Sequence, residues 1–205
     1  MNRSPKNWLL ETTQMYAKFQ KLMYVQNSYE VLVSEYIKPF TNCTVLDVGC
    51  GPAAILNYLP KTKYFGLDHN AKYITAASKK YGAKGTFICA EVDQLGDYGL
   101  KSFDRILLLG VMHHLTDDQL SALMASIKGL LNSDGILITF DVALEDNQHP
   151  VAKFLAKNDR GKFVRTKSHY LSFIEAHFSL ETADIRRNFL RMPYTQLLTR
   201  STFGN

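Results

Sequence analysis

The stretch that most constrains this chain is Val45-Leu46-Asp47-Val48-Gly49-Cys50-Gly51-Pro52-Ala53-Ala54. The apolar run from Thr44 to Val48 reads as a buried strand, and it stops at two glycines spaced one residue apart. Gly49 permits a tight strand-to-helix turn, and Gly51 lets a ligand approach bare backbone. Pro52 suits the first position of a following helix, expected over about 52–58, where its missing N–H costs nothing. Nineteen residues past Gly49 a second apolar run, Tyr64-Phe65-Gly66-Leu67, ends in Asp68. An acid at that strand tip is placed to accept hydrogen bonds from ribose hydroxyls. Turn and acid together predict a nucleoside site.

Two cofactor classes share this layout, because Gly49-x-Gly51-x-x-Ala54 also satisfies the loose dinucleotide fingerprint. Asp47 helps decide between them. Its carboxylate precedes the first glycine, where it repels a pyrophosphate. It attracts a ligand carrying an ammonium and a sulfonium, by roughly a few kcal/mol before desolvation. S-adenosylmethionine is such a ligand.

From about Val45 to Phe140 the sequence resembles the class I S-adenosylmethionine-dependent methyltransferases. The resemblance rests on Leu46-Asp47-Val48-Gly49-Cys50-Gly51, on Gly66-Leu67-Asp68, on Phe87-Ile88-Cys89-Ala90-Glu91, and on Phe103-Asp104-Arg105-Ile106 running into His113-His114-Leu115. The chain departs from the family in having Ala53 where many members have a third glycine, and Glu91 where many have Asp. Carried over residue by residue, the resemblance implies a cofactor site made of Asp47, Gly49, Cys50, Gly51, Asp68, His69, Glu91, Val92 and Gly110. Glu91 is expected to accept from the adenine amine, and the amide of Val92 to donate to a ring nitrogen.

The rest of the chain fits an alternation of strands and helices. Strands are expected at 44–48, 63–67, 85–90, 103–109 and 136–140. Between them, Asn70 caps a helix carrying Tyr73, Ile74, Ala77 and Tyr81. Thr116-x-x-Gln119 forms a capping box ahead of an apolar stripe through Leu120, Leu123, Met124 and Ile127. Asn132 to Gly135 reads as a turn. This pattern predicts an α/β, doubly wound, mostly parallel sheet with helices on both faces. The family resemblance implies seven strands with the last one antiparallel, here from Phe178–Arg186 and 194–200. A single domain over 1–205 is expected. Residues 6–38 read as two helices, forming with the start of the chain a cap over 1–40, and residues 142–167 as a polar, basic, irregular cap.

Methyl transfer needs the acceptor held in line with the methyl group and water kept out. A base is needed only for a hydroxyl or a protonated amine. His113, His114 and Asp141 are the candidates near the tips of strands four and five. For the histidines, packing or helix capping is the competing role, and Asp141 is expected to shape the acceptor pocket. Tyr16 or Tyr24 is a candidate substrate contact by resemblance, since this family often covers its substrate with an N-terminal helix pair. The basic segment holds Lys153, Lys157, Arg160, Lys162, Arg165 and Lys167. It reads either as a solvated face or as a cap binding an anionic acceptor, with Arg160 or Arg165 facing the pocket.

The net charge of +5 over 205 residues permits an anionic substrate without demanding nucleic acid. Three cysteines do not make a disulfide framework, and no run approaches the length of a membrane span. The expectation is a cytoplasmic monomer or homodimer, without a metal, that methylates a small molecule. Three competing readings remain: an RNA or protein methyltransferase, an NAD-dependent oxidoreductase, and a non-catalytic nucleoside-binding module.

Overall fold

A computed structural model describes residues 25, 27–100, 102–159 and 161–204. Tyr16, Tyr24 and Arg160, with the first of the two expected N-terminal helices, lie outside those residues. Strands β1 (Thr44–Val48), β2 (Lys63–Asp68), β3 (Gly85–Cys89), β4 (Phe103–Leu109), β5 (Leu131–Leu144), β7 (Phe178–Arg186) and β8 (Gln196–Phe203) form one sheet in the order β3-β2-β1-β4-β5-β8-β7. Only β8 runs against its neighbours, pairing antiparallel with both β5 and β7. A two-residue strand, β6 (Arg165–Thr166), pairs with Ala143 and Leu144 at the end of β5.

The central strands are apolar because both of their faces are covered. Leu107 and Leu108 on β4 are fully buried, as are Leu137 and Ile138 on β5. Each such side chain contributes on the order of 1.5–3 kcal/mol relative to exposure. One face carries α3 (Asp117–Lys128), through Leu120, Leu123, Met124 and Ile127, and α5 (Lys167–Glu175), through Tyr170 and Ile174. The other carries α1 (Ser28–Val31), which continues as one wider π-helical stretch to Ile37, and α2 (Ala71–Tyr81). The side chains of Asn70 and Thr116 accept from the amides of Lys72 and Gln119, so both expected N-caps are made. Among the described residues no helix is long and apolar enough to cross a membrane.

At the amino ends of the strands, the Asp104 carboxylate accepts from the Thr44 amide, the Thr44 hydroxyl and the Asn132 side chain, each at 2.8 Å. These bonds hold β1, β4 and β5 in register at the end away from the ligand cleft. Arg105 donates to the carbonyls of Ile37 and Lys38 and ties α1 to the same end.

Three expectations are corrected. The helix expected over 52–58 is one 3-10 turn, Ala54–Asn57. Ala53 takes a left-handed φ of 54°, which no α-helix can include, so Pro52 lies in the turn and not in a helix. Strand β5 is longer than 136–140. It already pairs with β4 at Leu131, bulges out over 132–135, and runs on past Asp141 to Leu144. The segment 142–167 is not irregular throughout: it contains α4 (Pro150–Lys157), capped by the His149 ring, and β6.

The glycine turn is docked on the tip of β2. The amides of Gly49 and Cys50 both donate to the Leu67 carbonyl, at 2.7 and 3.0 Å, and the Gly51 amide donates to the Asp68 carboxylate at 2.9 Å. Gly49 needs its φ of 73°, and a Cβ there would stand 2.6 Å from Val111 Cγ2. Gly49→Ala is therefore expected to lower the unfolding free energy by at least about 1–2 kcal/mol in urea titrations. Unchanged stability would mean the turn can relax around the new methyl group.

Candidate functional site

The carboxyl ends of the strands open into a cleft of about 740 Å³. Its wall brings together Asp47, Gly49, Cys50 and Gly51 from the turn, Asp68 and His69 after β2, Glu91 and Val92 after β3, and Gly110, His113 and His114 after β4. Position in the fold explains the gathering. Parallel pairing sets Asp47 beside Gly66 and Leu107, and Asp68 beside Cys89, so successive strand tips finish level.

The three acids are held differently. Asp68 braces the loops, accepting from the Gly51 amide through one oxygen and from the Asn70 amide, at 2.8 Å, through the other. Lone pairs remain on both oxygens for ligand hydroxyls. Glu91 is exposed and forms a reciprocal capping box with Gln94 at the start of the 3-10 helix Val92–Tyr98. Asp47 is buried. Its Oδ2 accepts from the Tyr64 hydroxyl at 2.6 Å, and its Oδ1 has no partner. Burial pushes the Asp47 carboxyl up, the Tyr64 hydrogen bond pulls it back, and the nearby Asp68 charge adds to the rise, leaving it at about 7. An orphaned buried carboxylate oxygen in a cleft wall fits a ligand ammonium, so these residues suit S-adenosylmethionine. Burial also raises the Cys50 thiol, which therefore fills space and is not reactive.

His113 and Asp141 depart from the role expected of them. Asp141 is fully buried, is not part of the cleft wall, and accepts from the amides of Met112 and His113 and from the His113 ring nitrogen Nδ1. The other ring nitrogen, Nε2, faces Asp159 Oδ1 at 3.3 Å. Burial alone would depress the ring. The Asp141 and Asp159 carboxylates override it and carry His113 up to about 9. At neutral pH the ring is a cation donating from both nitrogens, with no lone pair for a general base. His114 is exposed on the cleft wall beside it, the ring centroids 4.1 Å apart.

Arg165 does not face the cleft. Its guanidinium is buried and donates to Asp117 and to the carbonyls of Met112, Leu115 and Phe163. It fastens the cap segment to the loop after β4 and has no donor left for an anionic ligand. The same segment is fastened at His113: Gly161 lies against the ring and the Phe163 amide donates to the His113 carbonyl.

Several wall residues are not legible in the sequence. Asp159 lines the cleft, accepts from Tyr194 at 3.0 Å and from the Gly161 amide at 3.0 Å, and belongs to a segment that stands out in the sequence for its positive charges alone. Burial would raise its carboxyl, but the His113, Gly161 and Tyr194 donors hold it at about 2. Tyr29 and Leu32 reach the cleft from α1, and Gln119 and Phe140 from α3 and β5. In the sequence these look like ordinary members of apolar stripes or capping motifs.

The Asp141–His113–Asp159 clamp has a defined pH window. His113, raised from 6.5, contributes stability in full below about 6.5, and that stability is lost as pH rises through about 9. Asp159, lowered from 3.8, contributes above about 3.8 and ceases to as pH falls through about 2. Wild type is therefore expected to lose more thermal stability than His113→Gln between pH values of about 6.5 and 10. Equal slopes in thermal denaturation would show that the clamp carries no net stability.

The family described as "Methyltransferase domain" matches residues 45–135. No curated protein matches the sequence. Among solved structures, a TehB-like SAM-dependent methyltransferase from Corynebacterium glutamicum is similar with a TM-score of 0.69 at 18% identity, over 94% of this chain and 98% of that one. The 1,6-didemethyltoxoflavin-N1-methyltransferase of Burkholderia thailandensis has a TM-score of 0.70 at 15% identity, over 100% of this chain and 92% of that one. The [4+2]-cyclase SpnF reaches 0.72 at 12% identity, over 96% and 94%. At such identities these likenesses speak to fold, and the cyclase shows that the fold alone does not set the reaction. Residues 45–135 thus match a methyltransferase domain, and the chain as a whole takes the fold of S-adenosylmethionine-dependent methyltransferases.

Proposed function

We propose that the chain methylates a small, uncharged or cationic acceptor seated between the tips of β4 and β5 and the cap segment. The observation that carries this is the charge of the cleft wall. It holds four acids, Asp47, Asp68, Glu91 and Asp159, and among the described residues no Lys or Arg. An anionic acceptor would meet repulsion there, and the arginine thought to receive it, Arg165, is engaged elsewhere. The cleft volume lies in the usual range for small-molecule sites. The Burkholderia neighbour holds 1,6-didemethyltoxoflavin together with S-adenosylhomocysteine, which supports the small-molecule reading.

When bound, S-adenosylmethionine supplies a methyl carbon on a positively charged sulfur, with a neutral leaving group. Asp47 holds its ammonium and Asp68 its ribose hydroxyls, while Glu91 and Val92 border the adenine. Phe140 and Leu32 form an apolar wall that excludes water, and Asp159 offers an acceptor to an N–H of the substrate. His114 takes the proton where the acceptor must lose one.

Calorimetry is expected to show binding of S-adenosylhomocysteine and none of NAD. Asp68→Ala should weaken that binding by about 1–3 kcal/mol, because bonds to a charged acceptor are lost. An unaltered dissociation constant would place the ribose elsewhere. Methyl transfer is expected to neutral or amine-bearing compounds in preference to phosphorylated ones. With a hydroxyl or protonated amine acceptor, His114→Ala should lower kcat on the order of 10²-fold and leave S-adenosylhomocysteine affinity unchanged. Faster transfer to a phosphorylated compound, or to RNA in a salt-sensitive manner, would overturn the acceptor assignment.

A further inference from the structure

The contact between Tyr64 and Asp47 is placed with care. The Tyr64 ring is buried over two glycines, Gly66 and Gly85, where a Cβ would come within 3.0 and 2.8 Å of ring carbons, and it packs on Phe87 with centroids 5.9 Å apart. With the ring so confined, its hydroxyl has one fixed position, 2.6 Å from Asp47 Oδ2. That bond turns the carboxylate and leaves Oδ1, buried and without a partner, as part of a carboxylate in the cleft wall.

We propose that Tyr64 is a positioning residue for the methyl donor: it pins one oxygen of Asp47 so that the other meets the donor's ammonium, and uptake of the donor expels a proton from Asp47. The proposal rests on S-adenosylmethionine as the donor. Its physical basis is the absence of a compensating charge among the described residues. The groups facing Asp47 are Tyr64 and Asp68 from β2 and Cys50 from the turn, and Tyr81 of α2 in turn faces Tyr64. From β4 the neighbour in register is Leu107. None of these is cationic. A buried carboxylate among acids and phenols binds a proton more tightly than one in water, and an arriving cation displaces it. The ammonium supplies that cation, the proton leaves to solvent, and the ion pair forms with its second oxygen already oriented. Burial and the Asp68 charge raise the Asp47 carboxyl while the Tyr64 bond lowers it, so Tyr64 also sets the pH at which the site becomes ready.

The test is calorimetry of the full chain with two probes. S-adenosylhomocysteine carries the ammonium, and methylthioadenosine lacks the amino-acid part while keeping the ribose and base. Wild type is expected to bind S-adenosylhomocysteine about tenfold more weakly near pH 6 than near pH 8, and methylthioadenosine equally at both. Buffers of different ionisation enthalpy should reveal proton release with the first probe only. Tyr64→Phe keeps the ring packing. It should weaken S-adenosylhomocysteine binding several-fold at neutral pH and move its rise to higher pH, with methylthioadenosine unaffected. Should that variant misfold, Asp47→Asn serves instead, and its S-adenosylhomocysteine affinity should be both lower and flat with pH. Binding of S-adenosylhomocysteine that is flat with pH in wild type, or unaltered in Tyr64→Phe, overturns the proposal and leaves the donor assignment standing. Failure of both probes to bind at any pH would overturn the donor assignment itself.

Discussion

The architecture depends on the docking of one loop onto one strand tip. The turn after β1 has left-handed residues at Gly49, Gly51 and Ala53, a conformation that is costly for Ala53 with its Cβ. It is held because Leu67 and Asp68 accept three of its amides. Those bonds fix the distance between the first two strand tips, and with it the spacing of Asp47 and Asp68. The same carboxylate reaches the Asn70 amide, so the start of α2 is referred to the same point. Substitution at Asp68 therefore acts on the shape of the cleft as well as on its contacts.

A second organising feature lies across the cleft. Within the cap segment, α4 buries only small apolar side chains, Ala152 and Ala156. Polar anchors add to that packing, Arg165 on the loop carbonyls and Asp159 on the His113 ring. Polar anchors of this kind are directional, and removing one partner leaves the other buried and unsatisfied, at a cost on the order of 1–3 kcal/mol or more where charge is involved. The segment is thus held in one position above β4, and Asp159 is delivered to the wall as a consequence. Two carboxylates around one imidazolium leave a net negative charge, which is why this side of the cleft suits a donor or a cation.

Much of this was legible in the sequence, for identifiable reasons. Strands buried on both faces are apolar without interruption, so 44–48 and 103–109 stand out. The caps at Asn70 and Thr116 follow from local chemistry. The residues that gather in the cleft wall are legible because they sit at strand ends. What stayed hidden depends on contacts distant in sequence. Nothing local in Ala53 announces a left-handed residue, so a helix was expected there. Asp141 looks like the polar end of a strand, yet three donors bury it and β5 continues past it. Arg165 reads as a free cation until Asp117 and the carbonyls around it are known. Asp159 was obscured by the lysines and arginines beside it.

The placement of β8 between β5 and β7 bears on the order in which the molecule can be built. Residues 196–203 form an interior strand, and β5, which carries Phe140 of the cleft wall, has no partner on that side until they arrive. During synthesis the first five strands can assemble around the nucleoside half while the far border of the sheet stays open. Such an open border is a sticky edge for other chains. Completion of the β5 side of the cleft thus waits on the last strand of the sheet to leave the ribosome.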